Sequence, residues 1–312
     1  MTAEKVFNGI FNASLVVMLL TLVASLGMTF SVKQILEPLN RVWLLAGIVV
    51  VNTGLAPLVA IGVCHVFPLT SHARVGVAVV AVGAAGPVGL KSCELAKRAD
   101  LAMAVSFTIV LQLINIVAAP LWAKAIVTGA KVNPWSIVTD LLILVLAPLV
   151  AGLILRGRYP EHRHVWKAGL EKISNIALYV LIAFGLAANW KAVVTSLGSW
   201  VILASAVIVA VYIVLGWAVA FRNRKAAITT SMVSAMRFTP IGLIVISTVL
   251  HNNGAYLTPA LLFALVDTFI PFAAAAEIGR AVSHSAPKPA SAAPPPRATG
   301  SPPAAATPRQ ST

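Results

Sequence analysis

Two cations stand inside long apolar stretches, each beside a helix-breaking string: Lys91 follows Pro87-Val88-Gly89-Leu90, and Arg237 precedes Pro240-Ile241-Gly242-Leu243. A Lys or Arg at the centre of a membrane helix costs about 2.5 to 3.5 kcal/mol on insertion scales, so each needs an unwound carbonyl, an acid or a bound anion. Proline removes a backbone donor and glycine adds freedom, so each segment should kink there and expose backbone dipoles beside a fixed charge. The chemistry open to such a pair is the binding of an anion. The acids available inside apolar segments are Glu94, Asp140 and Asp267. Two readings of the cations stand side by side: structural ion pairs, such as Arg237 with Asp267 or Lys91 with Glu94, and fixed positive charges facing a substrate anion.

Other chemistries lack their residues. No HExxH or GxSxG string occurs, and His65, His72, His162, His164 and His251 fall at helix ends or in loops, with His284 near the end of the chain. Cys64 and Cys93 make no metal or disulfide spacing and read as free buried thiols. No enzyme activity, no metal centre and no cofactor are expected.

The elements that must position the two breaks are membrane helices. Of 312 residues, 59% are apolar and 10% charged, and the mean hydropathy is +0.92, whereas a soluble domain is about one quarter charged. At about 20 residues per crossing, the chain holds about nine helices in one bundle. The net charge of +14 is spread over short loops, so topology explains it and no nucleic-acid partner is expected.

The apolar runs begin near residues 10–30 and 42–67, the second carrying Asn52, Thr53 and Pro57 near its middle. A third, 72–95, contains the first break with Pro87, Lys91 and Ser92; a fourth, 101–123, carries Thr108, Gln112 and Asn115 four and three residues apart, hence on one face. Runs at 135–155, 166–188 and 200–221 follow, then 226–250 across the second break with Thr239 and Pro240, and 255–282 with Asp267 as its mid-helix acid. Asn52, Thr53, Pro87, Lys91, Ser92, Thr108, Gln112, Asn115, Arg237, Thr239, Pro240 and Asp267 are the candidate substrate or ion-binding residues. Residues 1–284 form the transmembrane domain. The stretch 285–312, with eight prolines among Ala, Ser, Thr and Arg, reads as a disordered tail.

Loop charges set an orientation, because Lys and Arg gather on the cytoplasmic side of short loops. Lys33, Arg41, Lys97, Arg98, Arg156, Arg158, Arg163, Lys167, Arg222, Arg224 and Lys225 lie in one alternate set, with Arg280, Lys288, Arg297 and Arg309 after the last helix. The opposite set holds Lys5, Arg74, Lys124, Lys131 and Lys191. This predicts a multi-pass protein of the cell (inner) membrane, with the amino terminus outside, the carboxyl terminus cytoplasmic and an odd number of helices. The two broken helices then run in opposite directions, as an inverted repeat requires, and paired breaks of this kind point to a transporter's binding site.

The order and spacing of several strings resemble the bile acid:sodium symporters. Leu26-Gly27-Met28-Thr29-Phe30 looks like the family's Gly-Met-x-Leu-Thr-Leu helix end, and Asn52 precedes Pro57 as a family glutamine precedes its proline. Gly83-Ala84-Ala85-Gly86-Pro87-Val88-Gly89 followed by Leu95-Ala96-Lys97-Arg98-Ala99-Asp100 is similar to Gly-Cys-Cys-Pro-Gly-Gly, then Leu-Ala-Arg-Gly-Asn. Ser234-Ala235-Met236-Arg237 with Gly242-Leu243 sits where members have Glu-x-Gly-Met-Gln-Asn-x-Gly-Leu. The resemblance runs from Leu19 to Ala281. It implies a nine- or ten-helix bundle with a panel and a core, two helices crossing at unwound centres, and transport of organic anions such as bile acids, pantoate or 2-keto acids, usually driven by sodium. It also implies sodium ligands: a Ser-Asn pair at the first crossing, Ser and Thr on the next helix, a glutamine on the preceding helix, and an acid and a glutamine at the second crossing.

This chain departs from those ligands. Lys91 and Ser92 stand near the Ser-Asn pair, Ala104 replaces the serine while Thr108 remains, Val233 falls where the acid belongs, and Arg237 where the glutamine belongs. Sodium needs hard oxygen ligands and is repelled by a neighbouring cation. The expectation is an all-α polytopic transporter of a small organic anion, a carboxylate or bile-acid-like molecule, working in the lipid bilayer without sodium, with Lys91 and Arg237 standing in for bound cations. Transport would then be facilitated diffusion, exchange, or proton-coupled through an acid such as Glu94 or Asp267. The alternatives are a non-transporting membrane sensor or scaffold of the same fold, a sodium-coupled symporter with altered ligands, and a metalloid efflux carrier.

Overall fold

The computed structural model describes residues 3–29, 41–127, 134–188, 200–251 and 253–285, and these residues are helical throughout, joined by short turns. The apolar runs become α1 (Ala3–Thr29), α2 (Val42–Val66), α3 (Ser71–Ala81), α4 (Gly89–Leu95), α5 (Leu101–Ile126), α6 (134–158), α7 (Arg163–Ala188), α8 (Val201–Val219), α9 (Arg224–Ala235), α10 (Thr239–Val249) and α11 (Gly254–Ser285). Among the described residues, seven helical stretches are long and apolar enough to cross a membrane, α9 and α10 counting as one, while α3 is a shorter apolar helix. The expected tail lies outside the described residues except for Ser285, which closes α11, and so do Lys33, Lys131 and Lys191.

Large apolar side chains face outward on many helices. Trp43 is 90% exposed, Val66 83% and Tyr179 71%. Water would penalise such a girdle, whereas hydrocarbon accepts it, and helices satisfy their own backbone bonds there. Side-chain caps close several helix starts: the Thr70, Asp100 and Asn223 side chains accept from the backbone N–H of Ala73, Met103 and Ala226. Asp100 also ties α5 to α9, its N–H donating to Thr229 Oγ1 at 2.7 Å and its carboxylate lying 3.7 Å from Lys225 Nζ.

The helices sort into two packing groups. α1 packs against α7 and the second half of α6, while α2 to α5 and α8 to α11 pack among themselves. Each group contains one widened turn before a proline. The string Leu-Ala-Pro-Leu-Val-Ala occurs at 55–60 and again at 146–151, and a π-helical turn precedes both prolines, at Val50–Leu55 and Leu142–Leu146. Pro57 has no N–H to offer the Thr53 carbonyl, and Trp122 Nε1 takes that carbonyl at 2.8 Å.

Both expected breaks are present. The chain leaves the helix between α3 and α4, through Pro87, and again between α9 and α10, at Met236-Arg237-Phe238. The two gaps cross and bond to one another: Gly86 N donates to Met236 O at 2.9 Å, and Phe238 N donates to Gly83 O at 2.8 Å. Each broken segment thereby satisfies amides and carbonyls that its own helix cannot, as a low-dielectric interior requires. Contact this close needs glycine. A Cβ at Gly83 would lie 2.5 Å from Phe238 O, and one at Gly86 2.6 Å from Arg237 O.

Candidate functional site

Arg237 is the most heavily held side chain at the crossing. It is 4% exposed. Its Nε donates to Ala81 O at 2.7 Å, Nη1 to Asn52 Oδ1 at 2.7 Å, and Nη2 to Asn52 O at 3.2 Å. Its guanidinium carbon lies 4.5 Å from the centre of the Tyr212 ring, a cation–π distance. Tyr212 is itself fixed, its hydroxyl donating to Ala56 O at 2.9 Å just past the widened turn of α2. Asn52 is oriented by the same network: its amide oxygen meets the guanidinium, while Nδ2 donates to Ser234 Oγ and Ile48 O, each at 2.9 Å. The cation is thus met by two carbonyls, an amide oxygen and an aromatic face, partners that offset much of the cost of burying it.

Asp267 meets Arg237 in a different way. Residues 236–238 lie between α9 and α10, so the Arg237 backbone N–H is outside any helix ladder, and it donates to Asp267 Oδ2 at 2.9 Å. The expected ion pair between the two side chains is replaced by this backbone contact. Asp267 is 2% exposed, and its Oδ1 has no partner among the described residues. The other proposed pair, Lys91 with Glu94, is absent: both side chains are exposed and neither has a hydrogen-bond or ionic partner among the described residues.

A cavity of about 620 Å³ lies between the α1/α7 group and the crossing. One wall is apolar, from Met18, Leu22 and Leu26 of α1, Leu178 of α7, and Leu265, Phe269 and Phe272 of α11. The other wall is the crossing itself, with Gly86 to Val88 and Met236 to Pro240. Lys91 and Glu94 of α4 line it, as do Lys167 and Glu171 of α7, which pair at 3.7 Å. Lys91 is therefore a cation without a partner among the described residues, on a largely apolar cavity.

The structure divides the sequence-derived candidates. Pro87, Lys91, Arg237, Thr239, Pro240 and Asp267 line the cavity, although the Arg237 guanidinium is turned away toward α2 and α3. Asn52 sits behind the wall as the main partner of Arg237. Thr53 and Ser92 spend their hydroxyls on their own helices, donating to Val49 O and Gly89 O at 2.7 Å each. The stripe of Thr108, Gln112 and Asn115 is buried on α5. Gln112 Nε2 holds the break by donating to Ala85 O at 3.0 Å, and Ala85 is in the left-handed region at φ 46°. Thr108 Oγ1, Gln112 Oε1 and both polar atoms of the Asn115 amide are unpartnered among the described residues.

Sequence reasoning missed Tyr212, a polar-tipped ring in the apolar α8, and Ser234, the second partner of Asn52. It also missed Lys167, Glu171, Ser174 and Asn175, which line the cavity from α7. Their only signal was a polar face on an otherwise apolar run.

The arrangement is two helices broken at matching places, crossing through backbone bonds, with a cavity against the crossing. Doubled breaks of this kind are a general feature of secondary transporters. The family model for the sodium bile acid symporter family matches residues 16–196, more than half of the chain. Among curated proteins, none matches the chain. The chain is an integral multi-pass membrane transporter and belongs to the sodium bile acid symporter family.

Proposed function

We propose that the chain carries a small organic anion, a carboxylate or bile-acid-like molecule, and that it does so without sodium. The observation that carries this reading is the bond between Arg237 and Asn52. The family resemblance puts sodium-ligating glutamines at these two positions. Here one is an amide and the other a guanidinium, and they bond to each other. A guanidinium offers only donors, so it cannot ligate a metal ion, and at this distance it repels one. Val233 is buried where the family acid belongs and gives no oxygen either. The residues present do not fit a sodium ion at the second crossing.

The two cations then have separate tasks. Arg237 supplies from inside the protein the positive charge that an ion would bring, bracing α2, α3 and the second break. Lys91 faces the cavity and meets the anion, while the leucines and phenylalanines opposite accept its apolar body. Oriented by the loop charges, Lys97, Arg98 and Lys167 face the cytoplasm, and Lys167 lines the cavity together with Lys91 and Glu94.

Uptake into proteoliposomes tests the reading. A panel of carboxylates and bile acids is offered in sodium or potassium medium at constant ionic strength. Equal uptake of at least one anion in both media is expected; uptake that needs sodium overturns it.

A further inference from the structure

Anion transport without sodium can be coupled to a gradient through a proton, and of the three carboxyl groups that line the cavity, those of Glu94, Glu171 and Asp267, one is buried. Asp267 lies in the cavity wall, 2% exposed, with Oδ2 fixed by the Arg237 N–H and Oδ1 without a partner among the described residues. An unpaired carboxylate oxygen in a dry interior is costly, so a proton or a donor group must meet it at some stage. Buried acids on membrane helices beside a water-filled path are the usual stations of proton relays.

We infer that Asp267 is the proton-binding group of a proton-coupled anion carrier, a proposal that rests on the sodium-independent anion reading above. The step is simple in balance. A proton from the compartment facing the cavity adds to Oδ1, forming one O–H bond and removing one negative charge; its release on the other side restores the carboxylate. No electrons move and no bond of the substrate changes.

The coupling follows from the charges around the cavity. From the second break, Arg237 supplies a fixed positive charge, with the Tyr212 ring of α8 against it. From α4 come Lys91, Glu94 and the buried thiol of Cys93, and from α7 the Lys167–Glu171 pair. α10 carries no ionisable side chain; α3 carries His72 and Arg74 only in its first turn, and α9 carries Arg224 and Lys225 only at its start. While Asp267 is ionised, it offsets Arg237 and presents a negative charge to an entering anion. Once protonated, it no longer presents that negative charge, and the cavity, with Lys91 on its wall and Arg237 behind it, favours the anion. Proton and anion therefore raise each other's affinity by the same factor, as linkage demands.

The test uses the full chain in proteoliposomes, with two probes: a taurine-conjugated bile acid, whose sulfonate stays ionised, and pyruvate, each corrected with protein-free vesicles. An inwardly directed proton gradient should raise initial uptake about tenfold, within the usual range for coupled ligands, and a protonophore should abolish the gain. Asp267→Asn keeps an acceptor for the Arg237 N–H but cannot take the proton, so its ratio of uptake with and without the gradient should fall to about one. That ratio does not depend on how much activity survives. As a second measurement on the unaltered protein in weakly buffered detergent solution, anion binding should draw in about one proton per anion.

Uptake of either probe that ignores the gradient overturns the proton proposal alone. So does an Asp267→Asn ratio equal to that of the unaltered chain, or a Glu94→Gln variant that loses the gain while Asp267→Asn keeps it. If neither probe is bound or carried at any pH, the anion reading falls, and the proton proposal with it.

Discussion

Arg237 grips Asn52 twice, donating from Nη1 to its side-chain oxygen at 2.7 Å and from Nη2 to its backbone oxygen at 3.2 Å. The two residues lie 185 positions apart, and the bond fastens the second break to the widened turn of α2. A fork of planar donors suits this double contact, and an ammonium does not.

Arg237→Ala should therefore destabilise the folded protein. It strips donors from Asn52 and Ala81 O inside the bundle, and losing one side of a buried charged network costs about 3 kcal/mol. Arg237→Lys keeps the charge but loses the fork and should cost less. Thermal unfolding in detergent checks the order: unaltered above Lys, and Lys above Ala. Melting temperatures that do not change would mean the network holds nothing.

Lys91→Ala should behave in the opposite way. Lys91 is exposed and has no partner among the described residues, so its removal should leave the melting temperature in place. Anion binding should weaken by about 1 to 3 kcal/mol, the usual scale for a charge-assisted hydrogen bond. Titration of the purified protein with the transported anion measures this, and unaltered affinity would remove Lys91 from the site.

Gly86→Ala tests the crossing. Its new Cβ would lie 2.6 Å from Arg237 O, and only backbone can yield there. Overpacking of this kind costs about 1 to 3 kcal/mol. The Gly86 to Met236 bond should be lost with it. Faster amide exchange at Gly86 and at Phe238 is expected in the variant, and protection equal to that of the unaltered chain would speak against a rigid crossing.

The breaks were legible in the sequence because proline and glycine act locally: Pro87 and Pro240 with their glycines mark the gaps wherever the helices happen to pack. Asp267 and Lys91 were legible as charges out of place in apolar runs. The partners of Arg237 were not. Asn52, Ala81 O and the Tyr212 ring reach it only through tertiary packing, and Asp267 meets its backbone instead of its charge. The polar stripe on α5 is buried, yet among the described residues only Gln112 of its three members bonds to the crossing, through Ala85 O. The cavity's α7 wall was invisible, since Ser174 and Asn175 look like any polar pair on a helix flank.

Orientation is checked by reporters. One fused after Thr312 should report from the cytoplasm, and one inserted near Lys131 from the opposite side, since basic residues gather in the other set of loops. An external signal at the carboxyl terminus would overturn both the orientation and the odd number of crossings.

The most direct test of Arg237 in the place of an ion is the response of the protein's stability to sodium. A ligand that binds only the folded state raises its stability in proportion to the logarithm of ligand concentration. Thermal unfolding of the purified, unaltered protein should give the same midpoint in sodium as in potassium at equal ionic strength, across the whole titration. A midpoint that climbs with sodium alone would show a sodium site intact beside Arg237, and would contradict the account.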